Sequence, residues 1–504
     1  MLNISTNEDG HLDRRLNRRR FFQNAGHRFG SLAFTTLLAE ELSRERSNAS
    51  FAAEEKAQSA AISKATARKS ADELNPLTVH PPHYAARAKR VIFLFMEGGP
   101  SHVDLCDPKP ELSRQNGKPL PTNFGKVVTP MGTGGNNLLA SVRRFAKYGK
   151  CGMDFSDWLP HMATCADEFS LVRSCVADGL NHVGSVCQMN TGSILAGKPS
   201  LGSWAIYGLG SVNQNMPGFI VMTDGNEPLG GARNWGTGFM PQTFQGTRLL
   251  PGKNPILHLQ TPRSVSENRQ IQKRELIHQL NQFHQKQHRD DTFLSARQNA
   301  YELAFQMQAA APDIINIHNE SEKTKEAYGL NRKETADFGH RCLLARRLVE
   351  RGVRFVQIYC GAGSQWDAHS NLQGNHTRMC TRADQPTAAL IKDLKQRGLL
   401  ADTLVIWGGE FGRTPMTEGK DGRDHNPYGF SMLFAGGGVK AGFTYGSTDE
   451  FGLRAVEGKA HVHDLHATIL HLLGMNHEKL TYLYQGRDER LTDVYGNIVE
   501  DIVA

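Results

Sequence analysis

Six short apolar runs stand out along the chain: Val91–Met96, Leu171–Ser174, Gly218–Met222, Val353–Tyr359, Thr403–Trp407 and Ser431–Ala435. Around them, apolar positions recur every three or four residues over 155–168, 185–195, 294–311, 334–351, 384–397 and 463–473. The first pattern predicts strands, the second amphipathic helices. Their alternation predicts an α/β fold, with a mostly parallel sheet covered by helices on both faces. Ligands bind such sheets at the carboxyl ends of the strands, so the polar residues after each run are the candidates for chemistry. The rhythm breaks over 225–290, a Gly/Pro/Trp-rich region followed by a Gln/His/Arg-rich helical stretch at about 266–290. This reads as an insertion over the sheet edge whose His and Gln form a solvated face. There are no internal repeats.

The chain has 504 residues, 39% hydrophobic and 22% charged, with 24 Phe and 5 Trp, enough for a packed core over most of its length. That length suits one large α/β domain with insertions or two to three smaller ones. No stretch approaches the ~18–20 apolar residues that span a bilayer, so stable membrane insertion is not expected. The 58 Lys/Arg against 51 Asp/Glu give a net charge of +7. Residues 1–90 hold 15 of the basic and 10 of the acidic groups, so the body is close to neutral. A nucleic-acid binder clusters basic residues on its folded domain, and none cluster beyond the head. The eight cysteines, at 106, 151, 165, 175, 187, 342, 360 and 380, include no CxxC pair, which leaves a zinc ribbon or thioredoxin-type site unsupported. They read as small buried hydrophobes, with one or two disulfides open if the protein is exported.

At the head, Asn17-Arg18-Arg19-Arg20-Phe21-Phe22-Gln23 resembles a twin-arginine export signal, followed by the apolar stretch Ser31–Ala39. Residues 1–41 are therefore expected to be a signal region and the Ala/Ser/Lys/Glu-rich 42–80 a linker, leaving 81–500 as the folded domain. The expected location is the periplasm or another exported compartment, with a basic amphipathic helix of a cytoplasmic protein as the alternative.

Several familiar motifs fail. Gly192–Lys198 is nearly a P-loop, but Pro199 stands where a hydroxyl should meet Mg²⁺. Gly436–Ala441 is a Gly-rich turn that no helix follows, and neither G-x-S-x-G nor HExxH occurs. Four polar clusters remain at predicted strand ends or loops. They are Glu97-Gly98-Gly99-Pro100-Ser101, Asn181-His182, Asp367-Ala368-His369, and Glu410-Phe411-Gly412-Arg413 continuing to Arg423-Asp424-His425. Mixed His/carboxylate ligation suits Zn²⁺, Mn²⁺ or Fe better than Ca²⁺ or Mg²⁺.

At these residues the chain resembles the alkaline phosphatase/sulfatase superfamily, and more closely the sulfatase-like exported proteins grouped as domain of unknown function 1501. The resemblance rests on Pro386–Gly412, on His463–Gly474, which looks like the superfamily's closing helix, and on Arg87–Ser101. It implies a three-layer α/β/α sandwich of alkaline phosphatase type. By position it implies metal ligands at Glu97, Glu410, Asp367, His369 and, as the last His, His425. The sulfatase nucleophile position falls on His182, where a formylglycine-forming Cys or Ser is absent. Glu replaces both metal Asp residues, and Phe411 replaces the His or Asn that normally follows.

These readings give a metal-dependent hydrolase of sulfate or phosphate esters, on a small anionic molecule or a glycan. The metal is a divalent ion, Zn²⁺ or Mn²⁺ first, with Ca²⁺ or Mg²⁺ as alternatives. His182 would be nucleophile or general acid/base, Ser101 a reserve nucleophile, and Arg413 a bidentate clamp on substrate oxygens. The alternatives are a non-catalytic relative that binds a metal or glycan, and a metal-dependent phosphomutase-like transferase.

Overall fold

The computed structural model describes residues 76–250, 266–287 and 302–504, apart from 214, 304, 309 and 310. The twin-arginine-like segment and nearly all of the expected linker lie outside the described residues.

A nine-stranded sheet organises the fold. Its strands are β1 (Arg90–Met96), β2 (Phe169–Val176), β3 (Phe219–Met222), β4 (Thr247–Leu249), β5 (Phe355–Cys360), β6 (Thr403–Gly408), β9 (Phe430–Ala435), β10 (Phe443–Tyr445) and β11 (Ala460–His461). Between β6 and β9 a separate antiparallel hairpin inserts, β7 (Gly412–Glu418) and β8 (Gly422–Asn426). The order across the sheet is β10-β2-β9-β6-β1-β5-β3-β4, with β11 also on β2. Every pairing is parallel except those of β9 with β2 and β6. All six predicted strands are present. The central ones are buried on both faces, because helices cover both sides.

Alternation along each strand sorts the core into two halves. Ile92, Leu94 and Met96 of β1 join Val356 and Ile358 of β5 against α4 (Ala336–Glu350) and α5 (Leu372–Gln396). Val91, Phe93 and Phe95 join Phe355 and Tyr359 against α1 (His182–Thr191), α2 (Leu201–Leu209) and α6 (Val462–Leu472). This is the expected three-layer α/β/α arrangement.

The element bounds shift in instructive ways. The helix expected over 155–168 is instead a strand, Met153–Ser156, then one turn, Pro160–Ala163, whose Pro opens a helix but whose length is cut short. Helix α5 begins at Leu372, twelve residues before the expected 384, and runs through Pro386. Within 225–290, β4 extends the sheet edge and α3 (Glu267–Gln287) matches the expected helical stretch. Of the helix expected at 294–311, residues 302–303, 305–308 and 311 are helical, and the rest lie outside the described residues.

Candidate metal centre

The site is assembled at the carboxyl ends of β1, β2, β5 and β6. Strand β1 delivers Glu97, β6 delivers Glu410, the loop after β5 carries Asp367 and His369, and His182 opens α1 beyond β2. The β7–β8 hairpin folds back over these ends with Glu418, Asp424 and His425. Asn181 sets the start of α1, its side chain accepting from Gly184 N. The close packing has a backbone cause. Gly98 has φ +118°, and a Cβ there would lie 2.5 Å from the Asp367 backbone nitrogen.

Three imidazoles converge on one carboxylate. His182 Nε2 lies 3.0 Å from Asp367 Oδ2, while His369 Nε2 and His425 Nε2 lie 3.1 and 3.7 Å from Oδ1. The His182 and His425 rings are 4.2 Å apart, and those of His369 and His425 4.9 Å. Each ring's other nitrogen is held by an acceptor from behind. His182 Nδ1 is 2.6 Å from Glu410 Oε1, His369 Nδ1 is 2.5 Å from Glu418 Oε2, and His425 Nδ1 is 2.8 Å from the Leu180 carbonyl oxygen. An acceptor at Nδ1 assigns a proton there, so Nε2 is the nitrogen that points inward and offers a lone pair once deprotonated.

This donor set could hold a metal ion. His182, Asp367, His369 and His425 each offer a ligand atom, all within 4.8 Å of one another. His182 Nε2 and His425 Nε2 are buried, and neither has a partner other than the Asp367 carboxylate beside it. Imidazole nitrogens with one carboxylate suit Zn²⁺, Mn²⁺ or Fe; Ca²⁺ and Mg²⁺ prefer all-oxygen shells.

The electrostatics follow. Burial disfavours the charged form of Asp367, but the three imidazoles and the Arg413 guanidinium outweigh it and hold the carboxyl far below its usual range. Burial likewise opposes protonation of His182, yet contacts to Asp367 and Glu410 push its pKa up to about 9. Asp367 raises His369, whereas burial lowers His425. Burial and then the charge of Glu410 push Glu97 up to about 8.

The expected residues fall into three groups. Asp367, His369, His425 and His182 come together. Glu97 and Glu410 lie outside that ligand group. Glu97 accepts from Leu229 N at 2.7 Å and Gly363 N at 3.3 Å, while Glu410 accepts from Gly98 N at 3.0 Å and supports His182. Ser101 and Arg413 depart from their expected roles. The fully buried Ser101 hydroxyl donates to Asp104 at 2.5 Å. Arg413, also fully buried, spends its donors on Asp367 at 2.7 Å and on the carbonyls of Gly98, Gly99 and Arg423, so it positions Asp367 and has no free fork for substrate. Glu418 was not anticipated. It joins His369 and Asp424 in a second group of potential ligands, and the turn signal Gly419-Lys-Asp-Gly422 would have pointed to the hairpin that brings it in.

Residues 88–503 match the model of a family described as protein of unknown function (DUF1501). No curated protein matches the chain. Among solved structures, the lipoteichoic acid synthase LtaP from Listeria monocytogenes is similar at 9% identity, covering 86% of this chain and 82% of that chain with a TM-score of 0.35. The PsFucS1 sulfatase from Pseudoalteromonas sp. is similar at 13% identity, covering 78% and 69% with a TM-score of 0.33. The alkaline phosphatase from the Antarctic bacterium TAB5 is similar at 11% identity, covering 70% and 92% with a TM-score of 0.30.

Proposed function

The chain belongs to the DUF1501 family of proteins of unknown function, and from that premise we propose that it is a metal-dependent hydrolase of sulfate or phosphate esters, with its ion held by His182, Asp367, His369 and His425. The observation that carries the reading is the convergence of His182, His369 and His425 on Asp367, with ligand atoms all within 4.8 Å of one another and every imidazole braced from behind. Such bracing fixes tautomer and ring orientation and raises ligand basicity. The ester class is the one implied by the sequence resemblance.

In this reading His182 is a ligand and not the nucleophile, since its Nδ1 is occupied by Glu410. When bound, the ion supplies Lewis acidity toward the ester and toward water. Arg413 keeps Asp367 ionised and in place. Both Glu410 oxygens accept from the single Gly98 N–H, and Oε1 also meets His182, which ties the first-strand turn to the ligand helix. Burial and then the charge of Glu410 push the Glu97 pKa up to about 8, which limits the negative charge beside Glu410.

One observation favours a second reading. Four protein ligands fill a tetrahedral zinc shell, the hallmark of a closed structural site, whereas a six-coordinate ion such as Mn²⁺ keeps two positions open. The non-catalytic alternative therefore goes with tetrahedral zinc. The experiment is elemental analysis of the purified protein combined with turnover of aryl sulfate and aryl phosphate esters. Stoichiometric metal, ester hydrolysis and loss of both in His425→Ala support the hydrolase. Metal in a four-coordinate shell without turnover supports the binding protein, and protein that neither holds nor takes up metal removes both.

A further inference from the structure

The metal centre is open on one side. The His369 side chain is 29% exposed and that of His425 4%, so the opening lies beside His369 and Asp367, with His425 beneath. An ester held by the four ligands sends its organic group outward through this opening.

Two groups of exposed apolar side chains border the centre. The first stands at the start of α1. Val183 directly follows the ligand His182 and is exposed. Ile194 is packed against the same turn, its Cβ 3.7 Å from where a Cβ on Gly184 would stand. Leu195 comes next, 71% exposed, its carbonyl oxygen 3.7 Å from Cys187 Sγ on α1. The second group is on the loop that covers Asp424. Met131 N donates to Asp424 Oδ2 at 3.0 Å, and Asp424 shares a group of potential ligands with His369 and Glu418. Thr133 Oγ1 donates to the same oxygen at 2.9 Å, and the Tyr428 hydroxyl donates to the Val128 carbonyl at 2.8 Å. These bonds pin the loop to β8 and the turn after it, yet the Val128 and Met131 side chains are left exposed. Single exposed apolar residues are ordinary, but apolar side chains gathered around a polar opening mark a ligand groove. None of the five offers a hydroxyl, an amide or a charge, so a sugar there would set its hydroxyls against groups that cannot pair with them.

We propose that Val183, Ile194, Leu195, Val128 and Met131 seat the organic group of the substrate and that this group is an alkyl chain, which makes the substrate an anionic ester of a long-chain alcohol and not of a sugar. The inference rests on the ester-hydrolase reading and names the substrate class of that same site. The gain comes from the apolar surface that chain and rim remove from water together, so it grows with chain length.

The test uses the full chain loaded with Mn²⁺ or Zn²⁺. It is assayed against ethyl, hexyl and decyl sulfates and phosphates, below their micelle concentrations, and against glucose 6-sulfate and glucose 6-phosphate. Along the alkyl series kcat/KM is expected to climb about two- to four-fold for each methylene until the chain outruns the apolar rim. Leu195→Gln and Met131→Gln, both at exposed positions outside the ligand set, should flatten that series while leaving metal content and turnover of the ethyl ester unchanged. Hydrolysis indifferent to chain length, preference for the sugar esters, or a series unaltered in both variants overturns this inference and leaves the ester reading standing. No turnover of any ester removes the ester reading itself, and this inference with it.

Discussion

Glu410 Oε1 sits 2.6 Å from His182 Nδ1, across 228 residues of chain, and this contact decides what the imidazole can do. A histidine whose Nδ1 proton is committed to a buried carboxylate can offer a metal only Nε2, once that nitrogen has lost its proton. Nε2 faces Asp367. The same construction recurs at His369 with Glu418 and, using a backbone carbonyl, at His425 with Leu180.

Glu418 gives the cleanest test of this bracing, because among the described contacts its side chain supports His369 alone. Glu418→Gln removes the charge while keeping the shape. Metal affinity should fall ~10–100-fold, the usual cost of losing a supporting carboxylate. Thermal unfolding of the metal-free protein should move little, since Glu418 is partly exposed. Competition against a chelator of known affinity reads the first quantity, and unchanged affinity would remove Glu418 from the site.

Metal uptake should release protons. In the metal-free protein the His182 pKa is pushed up to about 9, burial opposing and the contacts to Asp367 and Glu410 prevailing. A protonated Nε2 has no lone pair, so near neutral pH binding must expel that proton. Apparent affinity then climbs as pH rises toward about 9 and flattens beyond it. The same shift acts on stability with the opposite slope. A pKa raised on folding stabilises the metal-free fold fully below the ordinary value of ~6.5, and that contribution is lost as pH rises through about 9. Calorimetric titration in buffers of different ionisation enthalpy counts the protons; a count of zero near neutral pH contradicts this account.

Gly98→Ala should damage the centre through the backbone. The new Cβ would sit 2.5 Å from Asp367 N and 2.6 Å from Trp366 N, and the residue would be held at φ +118°. The dihedral alone costs ~1–3 kcal/mol. Relief of the contact must push the Asp367 loop away from β1. Denaturant titration should show a large loss of stability and elemental analysis a loss of metal. A variant with normal metal content would mean that the loop tolerates displacement.

How much of this was legible in the sequence depends on what each element buries. Strands β1, β5 and β6 are covered on both faces, so they appear as continuous apolar runs and their ends mark Glu97, Asp367 and Glu410. The β7–β8 hairpin is buried too, but through Arg413, Thr414, Arg423, Asp424 and His425, which no hydrophobic pattern registers. Glu418 is hidden in the sequence for that reason. The early turns of α5 escaped notice because their buried face is His376, Met379, Cys380 and Ala383, weakly apolar residues at helical spacing, and because Pro386 looks like a stop. A guanidinium after a strand end, as at Arg413, suggests an anion clamp on substrate. Its partners lie in three other segments, and only folding brings them within reach.

Ser101 separates the metal reading from an ordinary covalent one. It occupies a Gly-rich turn after β1, where a hydroxyl nucleophile would be at home. Here the hydroxyl is fully buried and donates to Asp104, 2.5 Å away, while its backbone nitrogen donates to His376 Nε2 at 3.0 Å. Asp104 is in turn paired with the buried Arg423 at 2.8 Å. Burial raises the Asp104 carboxyl and Arg423 more than offsets this, so Asp104 stays ionised and keeps the Ser101 proton turned toward itself. A hydroxyl locked on a structural ion pair has no path to an ester held at the His182–Asp367–His369–His425 group. Ser101→Ala should therefore retain metal content and ester turnover within about two-fold and lose ~1 kcal/mol of stability, the net worth of a typical hydrogen bond. Turnover abolished in a folded, metal-replete Ser101→Ala protein would make the serine the nucleophile and its contact with Asp104 a resting state.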